Sequence, residues 1–309
     1  MRNIDIVLVD GFPMLSATLV TEPLRLANRE SLEQVFAWRF LSVDGGMQRS
    51  SSGFEVTTDR LDDRPADAVL LLSSYHPEAG LRHDMLAWLR RRARRGDLMG
   101  CVDTGALIFA AAGLLGQHSA AAHFEAIDGF VASYPKAMFV DRLFDFSPPR
   151  CSSAGGVATF DMTLALIAHM VSADIASRAA QIMNYLPTGH TGEQQRLSPM
   201  RSLGMVNQDL ALAIDIMLGN LSAPLPIAQI AQRAGLPGWR LGRLFQRYLR
   251  QSPAQYYLGL RLARARNLLR NSHRQVGIIA SLCGFDNHET FTRAYRRQFK
   301  LAPSADREY

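Results

Sequence analysis

The chain has 309 residues and a net charge of +6, a length that suits two domains with separate hydrophobic cores. Its three cysteines, Cys101, Cys151 and Cys283, follow no metal-ligand spacing, which argues against a zinc domain and against a disulfide-rich secreted protein. Neither a secretory leader nor an apolar run of about eighteen residues is present, so we expect a cytoplasmic protein with no membrane helix, metal ion or cofactor.

The first 186 residues alternate short apolar runs with helical patterns. Apolar runs occur at 4–9, 36–44, 68–72, 99–103, 137–140 and 151–156, and helical patterns at 17–28, 82–95, 104–115 and 157–171. This alternation predicts an α/β, doubly wound (flavodoxin-like) domain, a parallel sheet with helices on both faces and with ligands bound beyond the carboxyl ends of its strands. We interpret the arginine run at 90–95 as the solvated face of a helix and not as a nucleic-acid contact.

One apolar strand runs directly into a helix. In the segment GCVDTGALIFAAAGLL (100–115), the strand continues through Asp103 into a helix that contains Gly105. This order predicts a strand-to-helix elbow, which presents its central side chain at the edge of the sheet beside the N–H groups that begin the helix. Asp103 then has two compatible interpretations, as the N-cap of the helix and as a carboxylate that contacts a ligand.

Together with EPLRLAN (22–28) and AAHFE (121–125), the elbow resembles class I glutamine amidotransferase-like domains of the PfpI-like kind. In catalytic relatives the elbow residue is a cysteine, followed by a histidine and often joined by an acidic residue from the first helix. The resemblance places these three positions at Asp103, His123 and Glu22. An aspartate cannot replace the thiolate nucleophile, so the resemblance implies that the fold is kept and the reaction lost. Cys101 is either a displaced nucleophile or a small buried side chain.

Aromatic and polar side chains near Asp103 predict the chemistry of a bound ligand. Aromatic faces and a carboxylate together bind quaternary ammonium or guanidinium groups, so we expect a small cationic or zwitterionic nitrogen metabolite. A hydrogen-bonded structural role explains His123 equally well, and Glu22 has the alternative of being an ordinary helical residue. The candidate ligand-binding residues are Phe12, Glu22, Tyr75, His76, Asp103, Thr104, His123 and Phe124.

A polar segment at 187–202 reads as a linker between a domain at 1–186 and a domain at 203–309, whose first helix is predicted to begin near Leu203. The charge divides at the same place. From residue 207 onward there are 15 basic and 6 acidic residues, whereas the remainder has 19 basic and 22 acidic residues. The positive charge therefore lies where a polyanion would be bound.

The segment 226–307 contains the same unit twice. Each copy has a short apolar helix, a turn with Gly235 or Gly284, and a second helix with one apolar and one basic face. This order predicts an all-α domain with two helix-turn-helix motifs, in which the second helix can lie in the major groove of DNA. On the basic faces, Arg247 and Arg297 are expected to contact phosphate.

The repeated unit, the long helix between its halves (253–270) and the closing CGFDNHETFTRAYRRQF (283–299) resemble the DNA-binding domain of AraC/XylS-type transcription regulators. Two departures leave the geometry of the helix caps open. Arg250 and Lys300 stand where the family usually has a C-cap glycine, and Asp306 stands where an aromatic residue is usual. In that family the early part of each second helix contacts bases, which implies base contacts for Trp239, Arg240, Arg243, His288, Glu289, Thr290 and Arg293.

Front and back together resemble AraC-type regulators that carry an amidotransferase-like sensor, whose known effectors include betaines, carnitine and basic amino acids. The resemblance implies a transcription regulator, an activator by the family's habit, that binds an operator in double-stranded DNA as a homodimer, with RNA polymerase as a further partner. A competing interpretation is an amidase or glyoxalase-like hydrolase with a DNA-binding tail, which Asp103 disfavours. A DNA binder without a ligand would leave the first 186 residues without a role.

Overall fold

The computed structural model describes residues 1–124, 126–185, 207–272 and 274–307. These residues form two compact units, one with residues 1–127 and 134–185 and the other with residues 128–133 and 207–307. The predicted linker (187–202) lies outside the described residues, and the domain boundaries at 186 and 203 stay predictions. Nowhere in the described ranges is a helix both long and apolar enough to cross a membrane.

The first unit is built on a mostly parallel sheet of eight strands, in the order β3-β4-β2-β1-β5-β6-β10-β9. The neighbouring strands from β4 to β10 are parallel, while β3 and β9 pair in antiparallel fashion at the two edges. Two further strands, β7 and β8, form a short parallel pair. The strands are β1 (Arg2–Leu8), β2 (Phe36–Ser42), β3 (Gly46–Arg49), β4 (Glu55–Arg60), β5 (Ala68–Ser73), β6 (Leu98–Asp103), β7 (Ser119–Ala121), β8 (Met138–Val140), β9 (Phe144–Ser147) and β10 (Arg150–Ser153).

Helices cover both faces of this sheet. Three of them, α1, α5 and α6, pack together with the side chains of Ile4, Ile6 and Leu8 from β1. Helix α3 begins against the opposite face, where a Cβ atom on Gly105 would lie 3.0 Å from the Leu71 carbonyl oxygen. The doubly wound α/β fold is confirmed. The helices of this unit are α1 (Met14–Glu30), α2 (His83–Arg94), α3 (Gly105–Ala111), α5 (Ala158–Met170) and α6 (Ala173–Ile182), whereas α4 (Ile127–Ser133) belongs to the second unit from residue 128 onward.

The interpretation of the arginine run as a solvated face is wrong for two of its members. Arg92 is 0% exposed and donates to Asp5 Oδ2 at 2.7 Å and to Asp97. Asp5 also accepts from Arg39 Nε at 2.6 Å, which explains why an acidic residue interrupts the apolar strand β1. Arg90 donates to the Ala112 carbonyl oxygen at 3.0 Å and so caps the C-terminus of α3.

The second unit is entirely helical among its described residues. Helix α7 begins at Gln208, because the Asn207 side chain accepts from the Leu210 N–H and caps the helix there, while the predicted start near Leu203 lies outside the described residues. Each helix-turn-helix has a hydrophobic core of its own, and the long α10 contributes side chains to both cores. The helices are α7 (Gln208–Leu218), α8 (Ile227–Arg233), α9 (Gly238–Leu249), α10 (Pro253–Asn271), α11 (Val276–Leu282) and α12 (His288–Phe299).

Candidate nucleic-acid interface and effector site

Both turns of the repeated unit depend on a glycine. Gly235, between α8 and α9, has φ +68°, and Gly284, between α11 and α12, has φ +73°. Only glycine adopts such left-handed angles without strain. Gly284 is restricted further, since a Cβ atom there would lie 2.5 Å from Pro224 Cδ. The turn that aims α12 is therefore fixed by both conformation and packing.

The second helix of each unit buries its apolar face and exposes its basic face. In α9, Leu241 and Phe245 are buried in the first core, and in α12, Phe291 and Tyr295 are buried in the second. At the start of α9, Trp239 is 70% exposed. All nine predicted DNA-contact residues are exposed: Trp239, Arg240, Arg243, Arg247, His288, Glu289, Thr290, Arg293 and Arg297.

Arg240 differs from the other arginines on these faces because it has an acidic partner within the same unit. Its Nη2 lies 2.6 Å from Oδ2 of Asp209, a residue in the first turn of α7. Both side chains are partly exposed, so this ion pair contributes little to stability. The Asp209 carboxylate would, however, compete with a phosphate or a base for the Arg240 guanidinium. The repeat pattern gave no sign of this partner, which lies 31 residues away in the chain.

The left-handed caps that the missing glycines left open are present. Arg250 follows α9 with φ +57°, and Lys300 follows α12 with φ +62°. The Lys300 N–H donates to the Arg296 carbonyl oxygen, which is the bond expected of such a cap. The helices therefore end as glycine would end them, but with cationic side chains at the C-terminal pole of each helix dipole.

Asp306, the other departure, is a buried anion between helices. It is 0% exposed and accepts hydrogen bonds from Arg266 and Arg270 of α10 and from the Tyr295 hydroxyl of α12. Burial alone would raise its pKa, but the bonds from Arg270, Tyr295 and Arg266 outweigh burial and lower the pKa below its usual value. Burial and the adjacent carboxylate raise the pKa of Tyr295, which stays a neutral donor.

In the front domain, Asp103 occupies a strained elbow. It is the last residue of β6 and has φ +58°, a left-handed angle that is uncommon for residues other than glycine. The N-cap of α3 is the next residue, Thr104, so the interpretation of Asp103 as the N-cap is wrong. The Thr104 hydroxyl donates to the Ser74 carbonyl oxygen at 2.6 Å and lies 3.0 Å from Ser73 Oγ, which ties the elbow to the end of β5.

Asp103 lies against the loop that follows the neighbouring strand β10. A Cβ atom on Gly155 would be 3.0 Å from Asp103 Cβ and 3.4 Å from its Oδ2. Gly155 has φ +92°, so both its conformation and this close approach require glycine. The carboxylate thus sits at the carboxyl ends of two parallel strands, the edge at which such sheets bind ligands.

Buried hydroxyl groups line this edge, and the sequence patterns did not single them out. Ser153 Oγ, at the end of β10, accepts from the Gly155 N–H at 3.1 Å and lies 3.3 Å from Thr159 Oγ1. Thr159 Oγ1 in turn lies 3.2 Å from Ser16 Oγ of α1. These hydroxyl groups fix the start of α5 and of α1 beside the elbow. The signal in the sequence was the pair of serines in the segment 151–156, which we interpreted as an apolar run.

The structure separates the other predicted ligand-binding residues into two groups. Tyr75 is exposed in the loop after β5, and His76 follows with φ +59° and its Nδ1 3.2 Å from Glu78 Oε1. The His123 and Phe124 rings, half-buried, lie with centroids 4.6 Å apart. The contact of Tyr75, His76, His123 and Phe124 with a ligand beside Asp103 stays a prediction.

Two of the predicted contact residues have partners within the protein. Phe12 is 0% exposed and packs in the main hydrophobic core of the sheet, so its ring faces are already covered by protein. Glu22 binds Arg25 one turn further along α1, with Oε2 2.7 Å from Nη2. This is an ordinary surface pair at i, i+3, in line with the alternative interpretation of Glu22 as a helical residue.

Cys101 has the properties of a structural cysteine. Cys101 is buried in β6 two residues before the elbow. A Cβ atom on Gly105 would lie 3.4 Å from the Cys101 Cβ. Burial, with a smaller effect from Cys151, raises the pKa of the Cys101 thiol well above its usual range. The pKa of Cys151, its neighbour on β10, is likewise raised by burial, to about 12. A thiol in this state is a poor nucleophile.

A cavity of about 430 Å³ lies at the other end of the parallel strands, where β1 and β6 begin. Its polar lining comes chiefly from the Arg2–Asp67 ion pair and His169. None of the residues that line this cavity belongs to the predicted ligand set. The strained elbow at Asp103 lies at the carboxyl ends of the strands, so we place the candidate effector site there.

Comparison with known proteins identifies the helical unit and the whole chain. A family model described as a helix-turn-helix domain matches residues 230–309. The chain is 34% identical to the HTH-type transcriptional regulator CdhR of Pseudomonas aeruginosa, over 97% of this chain and 90% of that relative. It is 31% identical to the HTH-type transcriptional regulator GbdR of the same species, over 99% of this chain and 84% of that relative.

Solved structures with lower identity show the fold of the front domain. An AraC family transcriptional regulator from Pseudomonas putida matches 59% of this chain and all of its own, with a TM-score of 0.55 at 22% identity. A ThiJ/PfpI family protein from Pseudomonas syringae matches 75% of this chain and 88% of its own, with a TM-score of 0.54 at 18% identity.

A PfpI-like α/β fold joined to a tandem helix-turn-helix unit defines a transcription regulator of the helix-turn-helix type. The full-length match to relatives above 30% identity makes the assignment specific. The chain belongs to the AraC family of transcriptional regulators.

Proposed function

We propose that this regulator reads DNA with α9 and α12 and binds a small cationic or zwitterionic nitrogen metabolite beside Asp103. The position of Asp103 is the observation that supports ligand binding. Its carboxylate is held at a left-handed elbow, against Gly155, at the carboxyl ends of the strands, where such sheets bind ligands. A carboxylate there attracts an ammonium or guanidinium group. Betaines, carnitine and basic amino acids, the effectors of the regulators that the sequence resembles, all carry such a group.

We further propose that Asp103 occupies the position of the catalytic nucleophile and that the front domain is not an enzyme. The support is the strand-to-helix elbow at Asp103 together with the burial and raised pKa of Cys101. Thiol-dependent turnover of glutamine or methylglyoxal that disappears in Cys101→Ala would favour the hydrolase instead.

Titration calorimetry of the full chain with glycine betaine, carnitine and arginine tests the ligand. We expect at least one to bind, and Asp103→Asn to weaken it by about 2 kcal/mol or more, because a cation would lose the opposite charge of the Asp103 carboxylate. Glu22→Gln is the matched control: it also removes a carboxylate, but one on the surface of α1 beside Arg25, and should leave binding unchanged. Binding of anions alone, or equal loss in both variants, would refute the proposal.

DNA binding is tested by comparing two pairs of arginines. Arg243→Ala and Arg293→Ala should each lower specific affinity by about 1–3 kcal/mol and relax sequence preference, because an arginine fork reads a guanine edge. Arg247→Ala and Arg297→Ala should weaken binding to all sequences alike and reduce its salt dependence, as loss of a phosphate contact does. The measurement is competition between operator and random DNA. An equal loss on both DNAs for Arg243→Ala contradicts base reading.

The remaining parts of the proposal follow the family. We propose that domains at 1–186 and 203–309 act together in a homodimer, so that two units grip one operator and the phosphate contacts double. The ligand would change transcription only if its affinity differs between the arrangements of the two DNA-binding units. Activation would then involve RNA polymerase at the promoter.

A further inference from the structure

The acidic residue on the reading face of α12 is the unusual feature of that face. Glu289 is exposed in the first turn of the helix and lies four residues before Arg293, which puts both side chains on the same face. Asn287 caps this helix, since its Oδ1 accepts the Glu289 N–H at 2.7 Å and lies 3.4 Å from the Thr290 nitrogen. Capping therefore does not require the Glu289 carboxylate, although a negative charge in the first turn suits the helix dipole.

The Glu289 carboxylate has no partner among the described residues. In the described part of the chain, neither Glu289 nor Arg293 has an ion-pair or side-chain hydrogen-bond partner. The surrounding face is cationic, with Arg293, Arg296 and Arg297 all exposed. A lone carboxylate on a face that meets DNA is repelled by phosphate at every sequence. That repulsion is offset only where a base donates a hydrogen bond to the carboxylate.

The major groove offers two amino donors, N4 of cytosine and N6 of adenine. Adenine presents its N7 acceptor directly beside N6, and that lone pair repels a carboxylate. Cytosine presents N4 beside its C5–H, with no acceptor on its own ring edge. A carboxylate therefore prefers cytosine, in contrast to an amide side chain, which pairs with N6 and N7 of adenine together.

We propose that Glu289 makes the protein select a cytosine at one position of the DNA segment that α12 contacts. This inference depends on the proposed DNA-binding function and adds the base that Glu289 reads. The corresponding position of α9 is Trp239, an exposed indole with no charge. The two halves of the operator are thus recognised by different chemistry, and the operator is not a simple direct repeat.

Selection of full-length protein from a pool of random-sequence double-stranded DNA tests the proposal. The wild-type pool should be enriched in cytosine at one position, with the other bases there about five- to a hundred-fold weaker in competition. Glu289→Gln should change that preference to adenine, and Glu289→Ala should remove it while binding of the weaker sequences improves. Asp286→Asn is the matched control: it removes an exposed charge three residues away and should leave every base preference unchanged.

The outcomes separate the two levels of the proposal. If wild-type protein enriches no sequence at all, the proposed DNA-reading function fails. If it enriches a sequence and both Glu289 variants enrich the same one, with affinity raised equally for all DNAs, Glu289 only repels phosphate and the inference is overturned. Circular dichroism of each variant confirms that α12 remains folded.

Discussion

Arg92→Met is expected to lower the free energy of unfolding of the front domain by about 3 kcal/mol, the lower end for a broken buried ion pair, because Asp5 keeps its bonds from Arg39. Asp5 and Arg92 are 2% and 0% exposed at their side chains, so water cannot replace the lost bond. Asp97 loses its arginine as well. The guanidinium also lies 4.9 Å from the centre of the Trp88 ring, and that contact disappears with it.

Urea denaturation of the full-length protein, followed by circular dichroism and tryptophan fluorescence, measures this change. Arg91→Met is the matched control, since Arg91 is the preceding residue of α2 and pairs with Asp63 at the exposed surface. It should change stability by no more than about 0.5 kcal/mol. Similar losses for both variants would show that the burial of Arg92 is not what matters.

Asp306→Asn is expected to destabilise the second helix-turn-helix by about 3 kcal/mol. The value is at the lower end for a buried ion pair because Arg266 and Arg270 are 34% and 38% exposed and regain water when the carboxylate is lost. The Tyr295 hydroxyl, buried against Asp306, cannot do so. Hydrogen exchange measured by mass spectrometry on the full chain should show faster exchange in α10 and α12, with α9 little changed.

The same variant has a pH signature. Because the pKa of Asp306 is lower in the folded state, its contribution is complete above the pKa of the unfolded chain, about 4, and is lost as pH falls through the folded value. The stability difference between wild type and Asp306→Asn should therefore shrink on acidification from pH 5. A difference that stays constant down to pH 2 would contradict an ionised Asp306.

Local patterns in the sequence predicted much of the fold because the elements they describe are themselves local. The spacing of Leu241 and Phe245, and of Phe291 and Tyr295, located the buried face of each reading helix, and Gly235 and Gly284 located the turns. The strand that runs into a helix at Asp103 located the elbow. The hairpin of β3 and β4 was missed because its strands are short and mostly exposed, without an apolar run.

Other features were hidden because they depend on partners far away in the chain. Arg92 looked like a surface arginine, and its partner Asp5 is 87 residues earlier. Asp306 departs from the family pattern in sequence, but in the structure it binds two arginines of α10 and so holds the chain end against that helix. Phe12 looked like an aromatic wall for a ligand, although three-dimensional packing places it in the core. Periodicity reports which face is buried, but it does not report which charges meet.

The long helix α10 has a consequence for the spacing of the operator. Its 19 residues span about 28 Å at 1.5 Å per residue, somewhat less than the 34 Å repeat of the double helix. Because α10 belongs to both cores, it fixes the distance between α9 and α12. The protein, and not the flexibility of the DNA, sets the phase between the two groove segments. Base pairs between those segments should tolerate substitution far better than insertion or deletion.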